Sequence, residues 1–119
     1  MMEAKIINEL GFVAIDEHVL ATIAGMTATE CYGIVGMAAR GLSDGVVGLL
    51  KKESLNKGVK ITIDGEKIYI DMHVVIEYGV KISVIADSVI STVKYTLENL
   101  TGLNIEQVRI YVESVRVER

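Results

Sequence analysis

Gly58-Val-Lys-Ile-Thr-Ile63, then Asp64-Gly65-Glu66-Lys67, then Ile68-Tyr-Ile-Asp-Met-His-Val-Val-Ile76 read in succession as an apolar and polar alternation, a turn, and a second alternation. Side chains along a strand point to opposite faces, so a period of two marks a half-buried strand, and an Asp-Gly pair between two such runs marks a hairpin. Val59, Ile61, Ile63, Ile68, Ile70, Met72, Val74 and Ile76 then share an apolar face. Lys60, Thr62, Tyr69, Asp71, His73 and Glu77 share the other. The fold is therefore built on a sheet with one side toward a core and one polar side.

Downstream of Tyr78-Gly79 the period changes. Ile82, Ile85, Ala86, Val89, Val93, Leu97 and Leu100 recur at three-and-four spacing, which predicts a long helix with one apolar stripe and a stop at Gly102. A last strand carries Val108, Ile110 and Val112 on one face, whereas Val115 and Val117 have the opposite parity. That change of parity predicts a bulge or bend near Glu113-Ser114.

Upstream, Gly11-Phe-Val-Ala-Ile15 suits a strand, and Asp16 suits the N-cap of a helix whose stripe is Val19, Leu20, Ile23, Ala24, Thr27 and Cys31. Gly25 lowers helix propensity there and suggests a close neighbour. Tyr32 to Ala38 carries a weak strand signal, Gly41-Leu-Ser-Asp-Gly45 reads as a loop, and Val46 to Leu55 reads as a short helix. Residues 1–10 are expected to be less ordered. Two long helices and four or five strands, with one polar sheet face, predict an α+β two-layer sandwich. The sheet is expected to be mostly antiparallel or mixed, with both helices on one face, in a single domain spanning residues 1–119.

Half of the residues are apolar, but there is no Trp and only one Phe beside five Tyr, so the core must be aliphatic. A net charge of −4 opposes the clustered cations that nucleic-acid binding needs, and Lys51-Lys52 is the single basic doublet, better read as a solvated turn. One cysteine allows no internal disulfide, and Met1-Met-Glu-Ala-Lys lacks the pattern of a signal peptide, which predicts a cytoplasmic protein. Apolar runs are broken before the ~18 residues of a spanning helix, so direct membrane insertion is not expected.

Each reactive constellation has a plainer reading beside it. Cys31 with His18 or His73 would make a thiolate and base, yet Cys31 lies on an apolar stripe and behaves as a small hydrophobe. Asp71 and His73 share a strand face at i and i+2, but two ligands do not make a metal site. Gly33, Gly36 and Gly41 match neither phosphate-binding glycine spacing, which favours turn geometry and close packing. No catalytic, cofactor or metal residues are predicted. Tyr69, Asp71 and His73, together with Arg109, Tyr111 and Glu113 on the last strand, are the candidate partner surface, because Tyr and Arg are enriched at interfaces, with a simple solvated sheet face as the plainer reading.

Strand Gly11–Ile15, the helix ending Glu30-Cys31, Gly33-Ile-Val-Gly36, Gly41-Leu-Ser-Asp-Gly45, Gly58-Val-Lys-Ile and Tyr78-Gly-Val-Lys-Ile82 together resemble the alkaline shock protein family of Gram-positive bacteria, over about Gly11 to Val117. The chain reads as a compact member without the charged extension of longer relatives. The resemblance implies a small, cytoplasmic, non-enzymatic α+β protein acting in envelope stress response and homeostasis. It also implies a protein partner, either small and membrane-anchored or belonging to lipid metabolism, that would bring the chain near the membrane. Homo-oligomerisation through exposed strand edges is a further expectation. The alternative function is a nucleic-acid-binding module of α+β type, which the acidic charge opposes.

Overall fold

The structure, a computed structural model, describes residues 3–38 and 56–117. Eight elements follow in order: β1 (Glu3–Asn8), β2 (Gly11–Asp16), α1 (Glu17–Thr29), β3 (Ile34–Met37), β4 (Val59–Asp64), β5 (Lys67–Glu77), α2 (Ile82–Thr101) and β6 (Ile105–Arg116). The loop expected at Gly41–Gly45 and the helix expected at Val46–Leu55 lie outside the described residues.

The hairpin that decides the fold is present, with Asp64 opposite Lys67 and Val59 opposite Met72. Gly65 at its turn has φ +63°, a left-handed conformation that side chains disfavour. Strand β5 is central. Antiparallel β4 and β3 lie along successive parts of one edge, at Lys67–Met72 and Val74–Ile76, and β6 runs parallel along the other. A parallel neighbour needs a crossover, and α2 supplies it. The α+β class and the mixed sheet are as the sequence predicts.

Both helices cover the apolar face. Leu20, Ala24 and Ala28 of α1 and Ile85, Val89, Val93 and Leu97 of α2 form one buried cluster with Ile61, Ile70, Met72, Val74, Ile76 and Val108. Asp16 caps α1, its Oδ1 accepting from the His18 amide at 2.7 Å. Gly102 ends α2 at φ 78°, where its amide donates to the Glu98 carbonyl. On β5 the alternation has one exception: Val75 is buried, with Gly36 and Ser114 as partners, where both flanking strands shift register.

Some placements differ from the expected ones. The buried stripe of α1 is Leu20, Ala21, Ala24, Gly25 and Ala28, whereas Val19 is exposed. Small residues let the helix backbone sit close to α2 and to β3 and β4, which turns the larger Val19 outward. Cys31 lies past the end of α1, half-buried in the turn, its thiol donating to the Thr27 carbonyl at 3.5 Å. Ile82 and Leu100, at the two ends of the α2 stripe, are exposed. A strand precedes the first one read from sequence: β1 pairs with β2 in a separate two-stranded arm, from Glu3 opposite Asp16 to Asn8 opposite Gly11. Ala4, Ile6 and Ile15 tie the base of this arm to the core, while Ile7, Leu10, Phe12 and Val13 are exposed toward its tip.

Candidate functional site

The six residues singled out as a partner surface are brought together by the parallel pairing of β5 and β6. That register sets Asp71 beside Arg109 and His73 beside Tyr111, and it adds Gln107 beside Tyr69. Parallel neighbours share a face, so two columns of polar side chains stand side by side on the sheet surface away from both helices.

The columns interlock as two linked triplets. Arg109 places Nε 2.5 Å from Asp71 Oδ1 and its terminal nitrogen 3.3 Å from Oδ2, a forked, charge-assisted pair. The same guanidinium lies over the Tyr69 ring at 5.5 Å. The Asp71 hydrogen bond raises the pKa of Arg109. In the second triplet the His73 and Tyr111 rings stack at 5.0 Å and 15°. Nδ1 of His73 donates to Glu113 at 2.5 Å, since a carboxylate only accepts.

Glu113, which shares the parity of Arg109 and Tyr111, meets His73 from a bulge. Val112 pairs with Val74 but Ser114 pairs with Val75, which leaves Glu113 as the extra residue. A bulge re-aims a side chain, and the change of parity in sequence located this one. Exposure differs between the columns: the Asp71 and His73 side chains retain 14% and 17%, against 41% for Arg109 and 35% for Glu113. A partner meeting this face would touch chiefly the β6 column, held in place by the β5 column behind it.

The other constellations are not assembled. Cys31 packs against the core on the helix side, whereas His73 lies on the opposite sheet face and His18 is exposed in the first turn of α1. Burial, the larger cause, and the neighbouring Glu30 charge raise the Cys31 pKa against a lowering hydrogen bond from Thr92, the reverse of nucleophile activation. Asp71 and His73 are engaged by Arg109 and Glu113 rather than aimed at a shared point. Among the described residues no group of three or more His, Cys, Asp or Glu is placed to hold a metal ion. Gly33 answers to packing: φ is +87°, and a Cβ there would stand 2.6 Å from Ile85 Cδ1. Gly41 lies outside the described residues. A hollow of about 470 Å³ at the base of the arm is lined by residues including Ile6, Ile63, Glu66 and Leu103, and by none of the six face residues. Among the described residues no helix is long and apolar enough to cross a membrane.

Gln107 is the member that sequence reasoning passed over, although Gln107, Arg109 and Tyr111 alternate on one strand and carry the signal. The chain is 42% identical over 117 residues to "Uncharacterized protein YloU" of Bacillus subtilis, covering 98% of each chain. It is 37% identical to "Uncharacterized protein Spy1614" of Streptococcus pyogenes, covering 98% of this chain and 97% of that one. It is 34% identical to "Uncharacterized protein YqhY" of Bacillus subtilis, covering 93% and 82%. No solved structure matches it significantly. A family model for the alkaline shock protein 23 family, described as having a cell envelope-related function, matches residues 5–117.

Proposed function

The chain belongs to the alkaline shock protein 23 family, with its cell envelope-related function, and from that premise we propose that it acts as a non-enzymatic scaffold that binds a protein partner through the β5–β6 face. The observation that supports this reading is the interlocked set Tyr69–Arg109–Asp71 and His73–Tyr111–Glu113 on the sheet surface that neither helix covers. Aromatic and Arg side chains already held by neighbours lose little rotamer freedom on docking, so a pre-ordered face of this composition suits recognition. The partner in this proposal is membrane-anchored or belongs to lipid metabolism, and it brings to the envelope a cytoplasmic chain in which no helix among the described residues can cross a membrane.

The test is in-cell crosslinking and recovery of the tagged chain from cytosolic and membrane fractions, comparing wild type with Tyr69→Glu and with Tyr95→Glu, a change at an exposed position on α2. The expected result is a membrane-fraction partner that Tyr69→Glu loses and Tyr95→Glu keeps. Equal recovery with both variants, or recovery of nucleic acid in place of protein, overturns the proposal.

A further inference from the structure

The polar sheet face carries a cation that its own carboxylates do not engage. Lys60 on β4 stands opposite Asp71 on β5, and Asp71 stands beside Arg109 on β6, so one row across three strands reads Lys, Asp, Arg. Both Asp71 oxygens go to Arg109. Lys60 is exposed and takes part in no ion pair among the described residues. The fork to Asp71 engages only Nε and one terminal nitrogen of Arg109, whose side chain stays 41% exposed. Neighbouring strands lie about 4.8 Å apart, so the two cations flank Asp71 with their backbones about 10 Å from one another. Two side chains of that length can meet on one further anion above the row.

The rows on either side surround that anion with suitable chemistry. Thr62, Tyr69 and Gln107 lie in register on one side, and the stacked His73 and Tyr111 rings form an aromatic plate on the other. Tyr111 stands two residues from Arg109 on one strand and stays 44% exposed. The cation row and the aromatic row are therefore about 7 Å apart, which is also the spacing of same-face side chains at i and i+2 of an extended segment.

We propose that this face takes an extended acidic segment of its protein partner, with an Asp or Glu carboxylate between Lys60 and Arg109 and a large apolar side chain two residues away on Tyr111. The inference rests on the reading of this face as a partner surface and adds the chemistry of what docks there. Charge complementarity carries it. The carboxylates of the face each stand beside a basic side chain, Asp64 with Lys67, Asp71 with Arg109, Glu113 with His73 and Glu77 with Arg116, which leaves Lys60 unmatched. One surplus cation suits a single carboxylate, whereas a net charge of −4 opposes a polyanion such as nucleic acid.

The experiment is in-cell photo-crosslinking from Gln107 in wild type, Lys60→Glu, Lys60→Gln and Lys94→Glu, the last a change at an exposed position on α2, with the crosslinked partner peptide mapped by mass spectrometry. That peptide is expected to hold an Asp or Glu with a large apolar residue two positions away. Lys60→Glu should lower the adduct yield about tenfold, Lys60→Gln by less, and Lys94→Glu should leave it unchanged. Replacing the mapped acid of the partner by Lys should lose the adduct with wild type and restore it with Lys60→Glu. Lys60→Gln covers a charge reversal that fails to fold, since it sets no like charge opposite Asp71. An adduct that both Lys60 variants leave unchanged, or a mapped peptide without a carboxylate, overturns this inference and leaves the partner surface standing. Absence of any Gln107 adduct that Tyr69→Glu removes overturns both.

Discussion

Gly33→Ala is expected to destabilise the protein through two separable causes. Gly33 has φ +87°, where an L side chain costs about 1–2 kcal/mol. A Cβ added there would lie 2.6 Å from Ile85 Cδ1 and 2.9 Å from Cγ1, against an ordinary carbon contact of about 3.5 Å. Ile85 is itself buried in the α2 stripe, so the side chain has little room to turn away, and overpacking of this kind costs about 1–3 kcal/mol. The sum is a loss of about 2–5 kcal/mol, read from urea unfolding of Gly33→Ala against wild type. The cycle with Ile85→Ala separates the causes, because that change removes both clashing atoms. In the Ile85→Ala background Gly33→Ala should cost only the backbone share, about 1–2 kcal/mol. An equal penalty in both backgrounds would refute the clash, and a neutral Gly33→Ala in wild type would refute both causes.

Asp16→Ala removes the side-chain cap of α1 and is expected to cost about 1 kcal/mol by chemical denaturation, with Asp16→Asn retaining most of it. Leu97→Ala opens a cavity at a fully buried position of α2 and should cost about 2–5 kcal/mol; a loss under about 1 kcal/mol would contradict the packing described. Cys31 has its pKa raised, chiefly by burial, so the folded state favours the neutral thiol. That contribution to stability is fully present below the unfolded-state pKa and is lost as pH rises through the higher folded-state value. Alkylation of the native protein should correspondingly be slow near neutrality and keep rising with pH beyond the ordinary thiol range of about 8.5; a rate already level at neutral pH would contradict the burial.

Local pattern carried much of this fold. The alternation through Ile63 and Ile68, the cap at Asp16, the stop at Gly102 and the parity change at Glu113 are each set within a few residues, and each stands where the sequence placed it. The stripe of α1 was offset because hydrophobicity favours Val19, whereas close approach favours Ala21, Gly25 and Ala28. Strand β1 was missed because its exposed residues Ile7 and Lys5 break any simple face, and its pairing with β2 is what orders it. The face residues were legible as two same-side sets. Their union into Asp71–Arg109 and His73–Tyr111 was not, because it depends on which strands become neighbours across 38 residues of chain.

In the proposed function the β5–β6 face meets a protein partner. The most direct test puts a photo-crosslinking amino acid at Gln107, which is exposed beside Tyr69, and at the α2 control position Tyr95. Irradiation of intact cells should give a discrete adduct with a membrane-fraction protein from position 107, absent from position 95 and lost when Tyr69→Glu is added. No adduct at 107, or the same adduct from both positions, would contradict the account.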